Sequence, residues 1–530
     1  SAMRVASAIV ILPWIVLIHS YKILVFSPRH SQSINNFLGN IADSLVDAGH
    51  NVTTLIPIIN PLLRDGTFKS NKIYVEMTEE VRKMTESINF SEQNIFDFDD
   101  YNLYDALSFG DYFCKWISAQ CKGILDEPGL MERLIEEKYD VMFVENFETC
   151  GVALSHLIKP RALITSSSSF PLAYEYDEFG MDSALSYNPS WMISHLNVNS
   201  MISRFWNLYA EVVFLLTWYQ SRNQITQIFQ ERYGPNYPSI TEISSHAAFT
   251  FINSEPLIDY ATPTLSRIHY IGGIGAREPK KLDDKLDHLF TLRNKTILMS
   301  FGSVTMANRM PLKVRQNIVK TFSRFPDVTF LWKYEKPEDD FAKLALSSTP
   351  NLHMLSWTPQ NDLLADHRLT AFITHSGMAS TMETALRGKP GLFVPMMGDQ
   401  FRNAGMMEKN GLGKFFDKRN LYDDEKFYEA VKNLLENESY RLNAKRISVM
   451  MKNKPFSAKE TMIKYVEFGA EFGASPSLRP KSYDMTWIAY YNADIILASV
   501  VILFLGAFVL LTIASYLLKA IVNVANVKRD

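Results

Sequence analysis

The segment from Phe372 to Gln400 constrains the fold more strongly than any other, because it encodes a strand, a helix and a second strand in immediate succession. Leu369 to Thr374 is a short apolar, β-branched run, typical of a buried parallel strand. A polar break at His375 to Gly377 leads into a helical segment, and Gly391 to Pro395 resumes the sheet. A β-α-β unit of this kind predicts a parallel sheet in an α/β fold.

The two loops of this unit carry groups suited to an anionic, hydroxyl-rich ligand. At the first loop, free backbone N–H groups at the helix start would face a bound phosphate, and Gly377 has no Cβ to keep it away. At the second loop, Asp399 and Gln400 present a carboxylate and an amide. Ligands of open α/β sheets bind at the carboxyl edge, so we predict one binding site formed by both loops.

Alternating strands and helices continue on both sides of this unit. Further strands are predicted at Lys22–Phe26, Val52–Ile56, Tyr139–Val144, Ala162–Thr165, Thr296–Phe301, Val328–Trp332, Asn351–Leu355 and Lys414–Phe416. From Gly272 to Leu289, glycines are followed by charged residues, which suits a linker between domains. We therefore predict an α/β fold with two Rossmann-like domains facing a cleft, one for each of two substrates.

The predicted organisation follows from these boundaries and from the apolar ends of the chain. It comprises a signal peptide at 1–20, an N-terminal domain at 21–275, a linker at 276–290, a C-terminal domain at 291–453, return helices and a stalk at 454–486, an interfacial and transmembrane segment at 487–518 and a tail at 519–530.

Both ends of the chain indicate a membrane compartment. Arg4 precedes an apolar run from Val5 to Ile18, which has the length of a signal-peptide core; an uncleaved anchor is the alternative. Ile495 to Leu518 is uncharged and longer than the roughly twenty residues that span a bilayer. Because Lys519 and Arg529 follow it, the positive-inside rule predicts a single-pass type I protein with its domains in the lumen of the endoplasmic reticulum. The Asn-X-Ser/Thr triplets at Asn51, Asn89, Asn294 and Asn437 agree with a glycosylated lumenal protein.

Charge and cysteine content give no support for a nucleic-acid-binding protein or for a fold held by a disulfide framework. The chain has 54 Lys and Arg against 57 Asp and Glu, a net charge of −3, which gives no indication of a nucleic-acid partner. Cys114, Cys121 and Cys150 are too few for a disulfide framework. We expect three buried thiols, with one disulfide pair as the alternative.

An aromatic, apolar stretch from Trp191 to Ile228 is predicted to be helical. A packed excursion of the core is the favoured interpretation. The alternative is a surface that embeds in one leaflet of a membrane or lines an acceptor site.

A family resemblance rests on the segment from Phe372 to Gln400, on Trp357-Thr-Pro-Gln360 and Ser300-Phe-Gly-Ser303 upstream of it, and on the terminal membrane helix. The chain resembles the UDP-glycosyltransferases, the membrane-bound animal group that includes glucuronosyl- and glucosyltransferases. The resemblance covers essentially the whole chain. It implies a GT-B fold, a UDP-sugar as co-substrate in the C-terminal domain and a small lipophilic acceptor in the N-terminal domain. It further implies inversion at the anomeric carbon and no required metal or other cofactor. Association with further copies or with relatives is left open.

The resemblance assigns the nucleoside and sugar ends of the donor. Trp357 is similar to the residue that stacks on uracil, and Gln360 to the one whose amide meets the nucleoside. Glu383 resembles the carboxylate that accepts both ribose hydroxyls. Asp399 and Gln400 resemble the pair that binds the sugar hydroxyls.

The resemblance also assigns the diphosphate end. His375 is similar to the diphosphate-contacting histidine. With Ser303 and the backbone amides of Ser376 and Gly377, it would stabilise charge that develops on the leaving UDP.

The acceptor side departs from the family pattern. The family's catalytic histidine, counted back from Gly49-His50, corresponds to Ile34, which cannot accept a proton and also extends an apolar helical stripe. The aspartate that orients this histidine corresponds to Glu145. Three interpretations remain open: His30 replaces the missing base and pairs with Glu145, Glu145 acts directly on an acidic acceptor, or the protein binds UDP-sugar and transfers poorly.

Overall fold

The computed structural model describes residues 20–87, 103–302 and 305–527 of the chain. The predicted signal peptide, Asn89 and Ser303 lie outside these ranges. Two parallel sheets organise the described residues, and each sheet is covered by helices on both faces.

The N-terminal sheet has seven strands in the order β3-β2-β1-β4-β5-β6-β7. Its strands are β1 Lys22–Phe26, β2 Asn51–Pro57, β3 Asn71–Val75, β4 Val141–Glu145, β5 Ala162–Ser167, β6 Phe249–Ile252 and β7 Ile268–Tyr270. Its helices are α1 Gln32–Asp47, α2 Glu79–Ser87, α3 Leu103–Asp126, α4 Leu130–Glu136, α5 Thr149–Ile158, α6 Ala173–Phe179, α7 Met201–Tyr233 and α8 Ile240–Ser245.

The C-terminal sheet has six strands in the order β10-β9-β8-β11-β12-β13. Its strands are β8 Lys295–Ser300, β9 Val328–Lys333, β10 Leu352–Leu355, β11 Leu369–Thr374, β12 Gly391–Phe393 and β13 Gly413–Phe415. The remaining helices are α9 Asp284–Leu289, α10 Leu312–Ser323, α11 Asp340–Ser348, α12 Gln360–Ala365, α13 Met378–Arg387, α14 Gln400–Lys409, α15 Asp424–Glu436, α16 Glu438–Lys452, α17 Ala458–Phe472, α18 Trp487–Tyr490 and α19 Ala493–Val527.

In both sheets the strand order reverses between two central neighbours. In the first sheet these neighbours are β1 and β4, and in the second they are β8 and β11. Loops that leave such a pair diverge to opposite sides and open a crevice. Most of the predicted site residues end or follow these four strands or β12, so the topology places them at the two crevices, whereas Trp357 and Gln360 follow the edge strand β10.

The last two long helices, α17 and α19, lie outside the core of the C-terminal domain. Met462, Val466 and Ala470 of α17 pack into the core of the N-terminal domain beside Ile23 and Val141, so the chain crosses back after the second domain. α19 holds an apolar stretch from Ala493 to Asn523, in which an 18-residue window has a mean hydropathy of 2.9 and no residue buried against the protein. This helix is long and apolar enough to cross a bilayer.

The cysteine prediction is wrong for two of the three thiols. Cys121 of α3 and Cys150 of α5 form a disulfide, while Cys114 is free and buried. Helices α3 and α5 pack so that the two Cα atoms lie 5.7 Å apart, within reach of a disulfide. A separation of 29 residues in sequence gives no sign of that proximity.

The aromatic stretch is helical over only part of its predicted length. α7 begins at Met201, where the side chain of Ser200 accepts a hydrogen bond from the Ser203 N–H and caps the helix. The preceding loop packs against the C-terminal domain instead. A Cβ on Gly405 of α14 would lie 1.8 Å from the Ser194 carbonyl oxygen, so the two backbones are in direct contact.

Candidate active site

The carboxyl edges of the two sheets meet at the serine run Ser166–Ser169, which ends β5. The Ser168 N–H donates to Oε1 of Glu145 at 2.8 Å. The next residue, Ser169, donates its hydroxyl to Oδ2 of Asp399 at 2.9 Å, across the cleft between the domains. Adjacent residues thus bind the proposed acceptor-side carboxylate and one of the proposed sugar-binding carboxylates.

Glu145 ends strand β4 and is 1% exposed. Its Oε2 accepts from the hydroxyl of Ser166 at 2.9 Å, so each carboxylate oxygen has one donor. Burial disfavours the charged form and raises the pKa of Glu145 to about 7, although these hydrogen bonds act in the opposite direction. A carboxylate with that pKa can take up a proton near neutral pH.

Three further buried glutamates lie close to Glu145. Burial raises the pKa of Glu148 to about 8, with a further increase from the charge of Glu145, and burial also raises the pKa of Glu175 to about 8. Burial raises the pKa of Glu178 as well, against the opposing charge of Arg222, which forms an ion pair with it. At the carboxyl edge of the N-terminal sheet, buried glutamates therefore stay protonated at a higher pH than glutamates in water do.

We expect this cluster to make folding stability fall as the pH rises from about 7 to about 8.5. Between its ordinary value of 4.5 and its raised pKa, each glutamate binds more protons in the folded than in the unfolded state. His30 and His375 titrate with the opposite sign, but below their ordinary pKa of 6.5. Chemical unfolding at both pH values measures the change, and Glu148→Gln should reduce it. Stability that is constant or rises over this range would contradict the assignment.

His30 lies in an aromatic pocket, and no hydrogen bond joins it to Glu145 among the described residues. Its ring stacks on Phe147 at 6.5 Å and meets the edge of Phe113 at 6.2 Å between ring centroids. Neither ring nitrogen has a hydrogen-bond partner among the described residues. Burial lowers the pKa of His30 to about 4, which makes it a weak base.

Ile34 lies in the first turn of α1 and packs against the core that contains Phe37, Leu38 and Ile41. Its role as a continuation of the apolar stripe of α1 is confirmed. The position that the resemblance assigns to a catalytic histidine is occupied by a packing residue.

The proposed phosphate loop comprises residues 375–377, directly after β11, and its His375 ring is enclosed by two glycines, Gly377 and Gly302 of the loop after β8. A Cβ on Gly302 would lie 2.8 Å from Nε2 of His375, and one on Gly377 would lie 2.7 Å from the same atom. Ser376, between His375 and Gly377, has a φ of 66° and a buried hydroxyl without a hydrogen-bond partner among the described residues. Burial, with the nearby charge of Lys333, lowers the pKa of His375 to about 4, so this imidazole is neutral at pH 7 and can offer one N–H to a phosphate.

We expect Gly377→Ala to weaken UDP binding about tenfold, which is about 1.4 kcal/mol. Gly377 has a φ of −58°, so the substitution strains no backbone, but its methyl group must displace the His375 ring. Calorimetric titration with UDP measures the effect. Gly469→Ala is the control, because a Cβ there meets Ala162 at an ordinary 3.5 Å. Equal UDP affinity in the two variants would show that His375 does not contact the diphosphate.

The nucleoside end brings together three of the predicted residues. Trp357 is 68% exposed, with the Arg64 guanidinium of the other domain 6.0 Å from its ring centroid. Gln360 donates its amide to Oε2 of Glu383 at 2.6 Å and to the hydroxyl of Ser380 at 3.1 Å. An open indole face beside a hydrogen-bonded carboxylate suits a base and a ribose.

Asp399 and Gln400, the proposed sugar end, use only part of their hydrogen-bonding capacity in the contacts that the structure describes. Oδ2 of Asp399 accepts from both Ser169 and Asn403, each at 2.9 Å. Oε1 of Gln400 accepts from the Met396 N–H at 2.8 Å and stabilises the turn after β12. Its amide nitrogen is the group left for a sugar hydroxyl.

Three contributors to this site were missed by the sequence analysis. Ser168 and Ser169 belong to a run of four serines directly after a predicted strand, and that run was the available signal. Lys333 ends β9, donates to the Gly302 carbonyl at 2.6 Å and is an additional cation beside the phosphate loop. Nothing in the sequence separates Lys333 from other strand-end lysines.

Among the residues that the structure describes, no group of three or more His, Cys, Asp or Glu side chains is arranged to hold a metal ion. The charged groups at the phosphate loop are Lys333 and its ion-pair partner Glu335, at 3.1 Å. A diphosphate at this loop would therefore meet a lysine, a neutral histidine and backbone amides.

The sequence of the chain is similar to those of known glycosyltransferases, in agreement with the arrangement of these residues. A family model described as UDP-glucuronosyl and UDP-glucosyl transferase (UDPGT) matches residues 21–528. The Caenorhabditis elegans protein ugt-47 is 30% identical over 491 residues, covering 90% of this chain and 89% of its own length. Rat UDP-glucuronosyltransferase 1A3 is 24% identical over 489 residues, which cover 92% of this chain and 89% of the rat protein.

Solved structures show the same fold at low sequence identity. The glycosyltransferase of kitacinnamycin superimposes with a TM-score of 0.58 at 15% identity, covering 85% of this chain and 98% of its own. Os79 from O. sativa, solved with U2F and trichothecene, gives a TM-score of 0.55 at 15% identity, and the match covers 85% of this chain and 100% of Os79. The two facing Rossmann-like domains thus form a GT-B glycosyltransferase fold, and the predicted fold is confirmed.

Proposed function

The chain belongs to the UDP-glucuronosyl and UDP-glucosyl transferase family, and on that basis we propose that it transfers glucose or glucuronic acid from a UDP-sugar to small lipophilic acceptors. The observation that carries the proposal is the serine run, in which Ser168 binds Glu145 and Ser169 binds Asp399. Transfer requires a proton acceptor and a sugar-binding group within one small space, and this run supplies that proximity.

In the proposed reaction, the acceptor hydroxyl oxygen attacks the anomeric carbon of the sugar. Its proton passes to the Glu145 carboxylate, directly or through one water. The bond from the anomeric carbon to the β-phosphate oxygen breaks, and its electron pair leaves with UDP. His375, Lys333 and the backbone amides after β11 stabilise the charge on that oxygen. Attack opposite the leaving group inverts the anomeric configuration.

Glu145 is a better base than His30 near neutral pH. Burial lowers the pKa of His30 to about 4, so His30 has little affinity for the proton of the acceptor. The pKa of about 7 at Glu145 is closer to what abstraction of a proton requires. Even so, a carboxylate is best matched to an acidic acceptor, so we propose phenols and carboxylic acids as the preferred acceptors.

The packing of Ile34 favours a second candidate function, in which the protein binds UDP-sugar and transfers slowly. General base catalysis typically contributes about a hundred- to ten-thousand-fold, so its loss would leave donor binding intact. Such a protein could regulate active relatives through its membrane helix.

We further propose that α19 anchors the protein in the endoplasmic reticulum membrane with both domains in the lumen. The apolar length of α19 and the Lys519 that follows the predicted span support this orientation. Accessibility of Asn51 and Asn437 to glycosylation would be the direct sign of a lumenal location.

Acceptor-dependent release of UDP separates the two candidate functions. The purified full chain is incubated with UDP-glucose or UDP-glucuronate and a panel of phenols, carboxylic acids and aliphatic alcohols. The transferase predicts UDP release that depends on the acceptor and is fastest with the acidic ones. UDP binding without release, followed by release in Ile34→His, would establish the second candidate instead.

A further inference from the structure

An exposed apolar stripe runs along the first half of α7. Met201, Phe205, Leu208, Val212 and Leu216 follow one another at helical spacing and are 45–75% exposed. Ile202 and Trp206 widen the stripe. A contiguous surface of seven large apolar side chains is unusual on a face that contacts only water.

The stripe carries almost no charge. Between Met201 and Leu216 the only charged residues are Arg204 and Glu211. Glu211 is buried, and the Arg204 guanidinium donates to the carbonyl of Val198 at the start of the helix. The opposite face of α7, with Ala210, Phe214 and Trp218, is buried in the domain. The helix therefore has one face packed in protein and one apolar face without a partner among the described residues.

The base of the membrane helix is fastened to the same region of the N-terminal domain. Tyr491, two residues before α19, donates its hydroxyl to Asp182 at 2.5 Å, and Ser482 donates to the carbonyl of Gly180 at 2.5 Å. Asn207 of α7 donates to the carbonyl of Leu185 at 2.8 Å. Leu185 is three positions after Asp182 in the chain, which is at most about 11 Å of extended backbone. The stripe and the entry point of α19 are thus held close together by one loop.

We propose that the apolar stripe of α7 is a membrane-contact surface that lies in the leaflet from which α19 emerges. A bilayer adjoins the start of α19, because that helix has no other apolar environment. Phe, Trp, Leu and Met on an otherwise uncharged face are the composition that partitions into the headgroup boundary. Trp487, exposed in α18 six positions before the start of α19, is a further aromatic side chain suited to the headgroup region.

The test uses the full chain with an environment-sensitive NBD fluorophore on a single introduced cysteine. Phe205→Cys reports on the stripe. Leu344→Cys in α11 is the matched control, since Leu344 is an apolar residue that is 71% exposed on the other domain. Cys114 is buried and Cys121 is bonded to Cys150, so labelling is confined to the introduced thiol. Both proteins are reconstituted in phosphatidylcholine vesicles with and without nitroxide-labelled phosphatidylcholine.

The proposal predicts that nitroxide lipid quenches the probe at position 205 to about half its intensity and leaves the probe at position 344 unchanged. Equal quenching at the two positions would overturn it. A probe at position 205 that is shielded from water yet not quenched by lipid would also overturn it, because a second copy or another protein would then cover the stripe. A cooperative thermal transition confirms folding of each labelled protein. Leu208→Cys replaces Phe205→Cys if that variant lacks the transition.

Discussion

Replacement of Glu145 by Gln should lower kcat about a hundred- to ten-thousand-fold while the affinity for UDP stays unchanged. Glutamine has the same size, can still accept from the Ser168 N–H and can donate to the Ser166 hydroxyl, so the loop should keep its conformation. It cannot take the acceptor proton. The donor site lies in the other domain, where no described contact involves Glu145, so binding and transfer should separate.

Glu148→Gln is the control for this substitution. Glu148 is equally buried, and its raised pKa arises from the same environment, but no hydrogen bond joins it to the serine run among the described contacts. It should retain most of the wild-type kcat, as should His30→Ala. A Glu145→Gln variant that retains more than about a tenth of kcat would assign the base to another group.

Replacement of Arg402 by Met should destabilise the protein by about 3–5 kcal/mol. Arg402 of α14 extends into the N-terminal domain, where Nη1 lies 2.8 Å from Oδ1 of Asp259 and the side chains are 2% and 4% exposed. Its Nε donates to the carbonyl of Pro189 at 3.1 Å, and its guanidinium carbon lies 3.8 Å from the ring centroid of Phe170. Methionine would leave Asp259 as a buried carboxylate without its cation. Removal of one partner of a buried ion pair destabilises a protein more than replacement of both partners by apolar residues.

Arg324→Met provides the matched control for the ion pair. Arg324 pairs with Glu425 at 2.6 Å, but the side chains are 34% and 63% exposed, so the change should destabilise the protein far less than Arg402→Met does. Denaturant unfolding of both variants measures the difference. Adding Asp259→Asn to Arg402→Met should recover part of the loss, because the unpaired charge is removed. Equal stability of the two single variants would show that Arg402 does not hold the domains together.

The proximity of the residues proposed for the donor side was predictable because it is encoded locally. The phosphate loop, Asp399 and Gln400 lie within one β-α-β unit, where strand period and loop chemistry place them at one sheet edge. Gln360 and Glu383 are 23 residues apart, yet their hydrogen bond follows from the fold that the same segment implies. Ten of the thirteen described strands were located within a few residues for the same reason, whereas β3, β6 and β7 were not predicted.

The acceptor half depended on contacts that sequence periodicity does not encode. Ser169 and Asp399 are 230 residues apart, and their hydrogen bond exists only because two domains close on each other. The Cys121–Cys150 disulfide and the attachment of Tyr491 to Asp182 likewise join separate elements. For His30, the sequence left open a substitute base paired with Glu145, whereas its environment depends on Phe113 and Phe147 from two other segments.

The pH dependence of kcat/KM for acceptor-dependent UDP release tests the central claim most directly, because it reports the ionisation of the base in the free enzyme. With a phenol whose own pKa lies well above the range studied, the account predicts a rate that rises with pH through an apparent pKa of about 7, where burial places the pKa of Glu145, and then levels off. A rate that is independent of pH between about 5.5 and about 8.5, or that rises through the low pKa of His30, would contradict it.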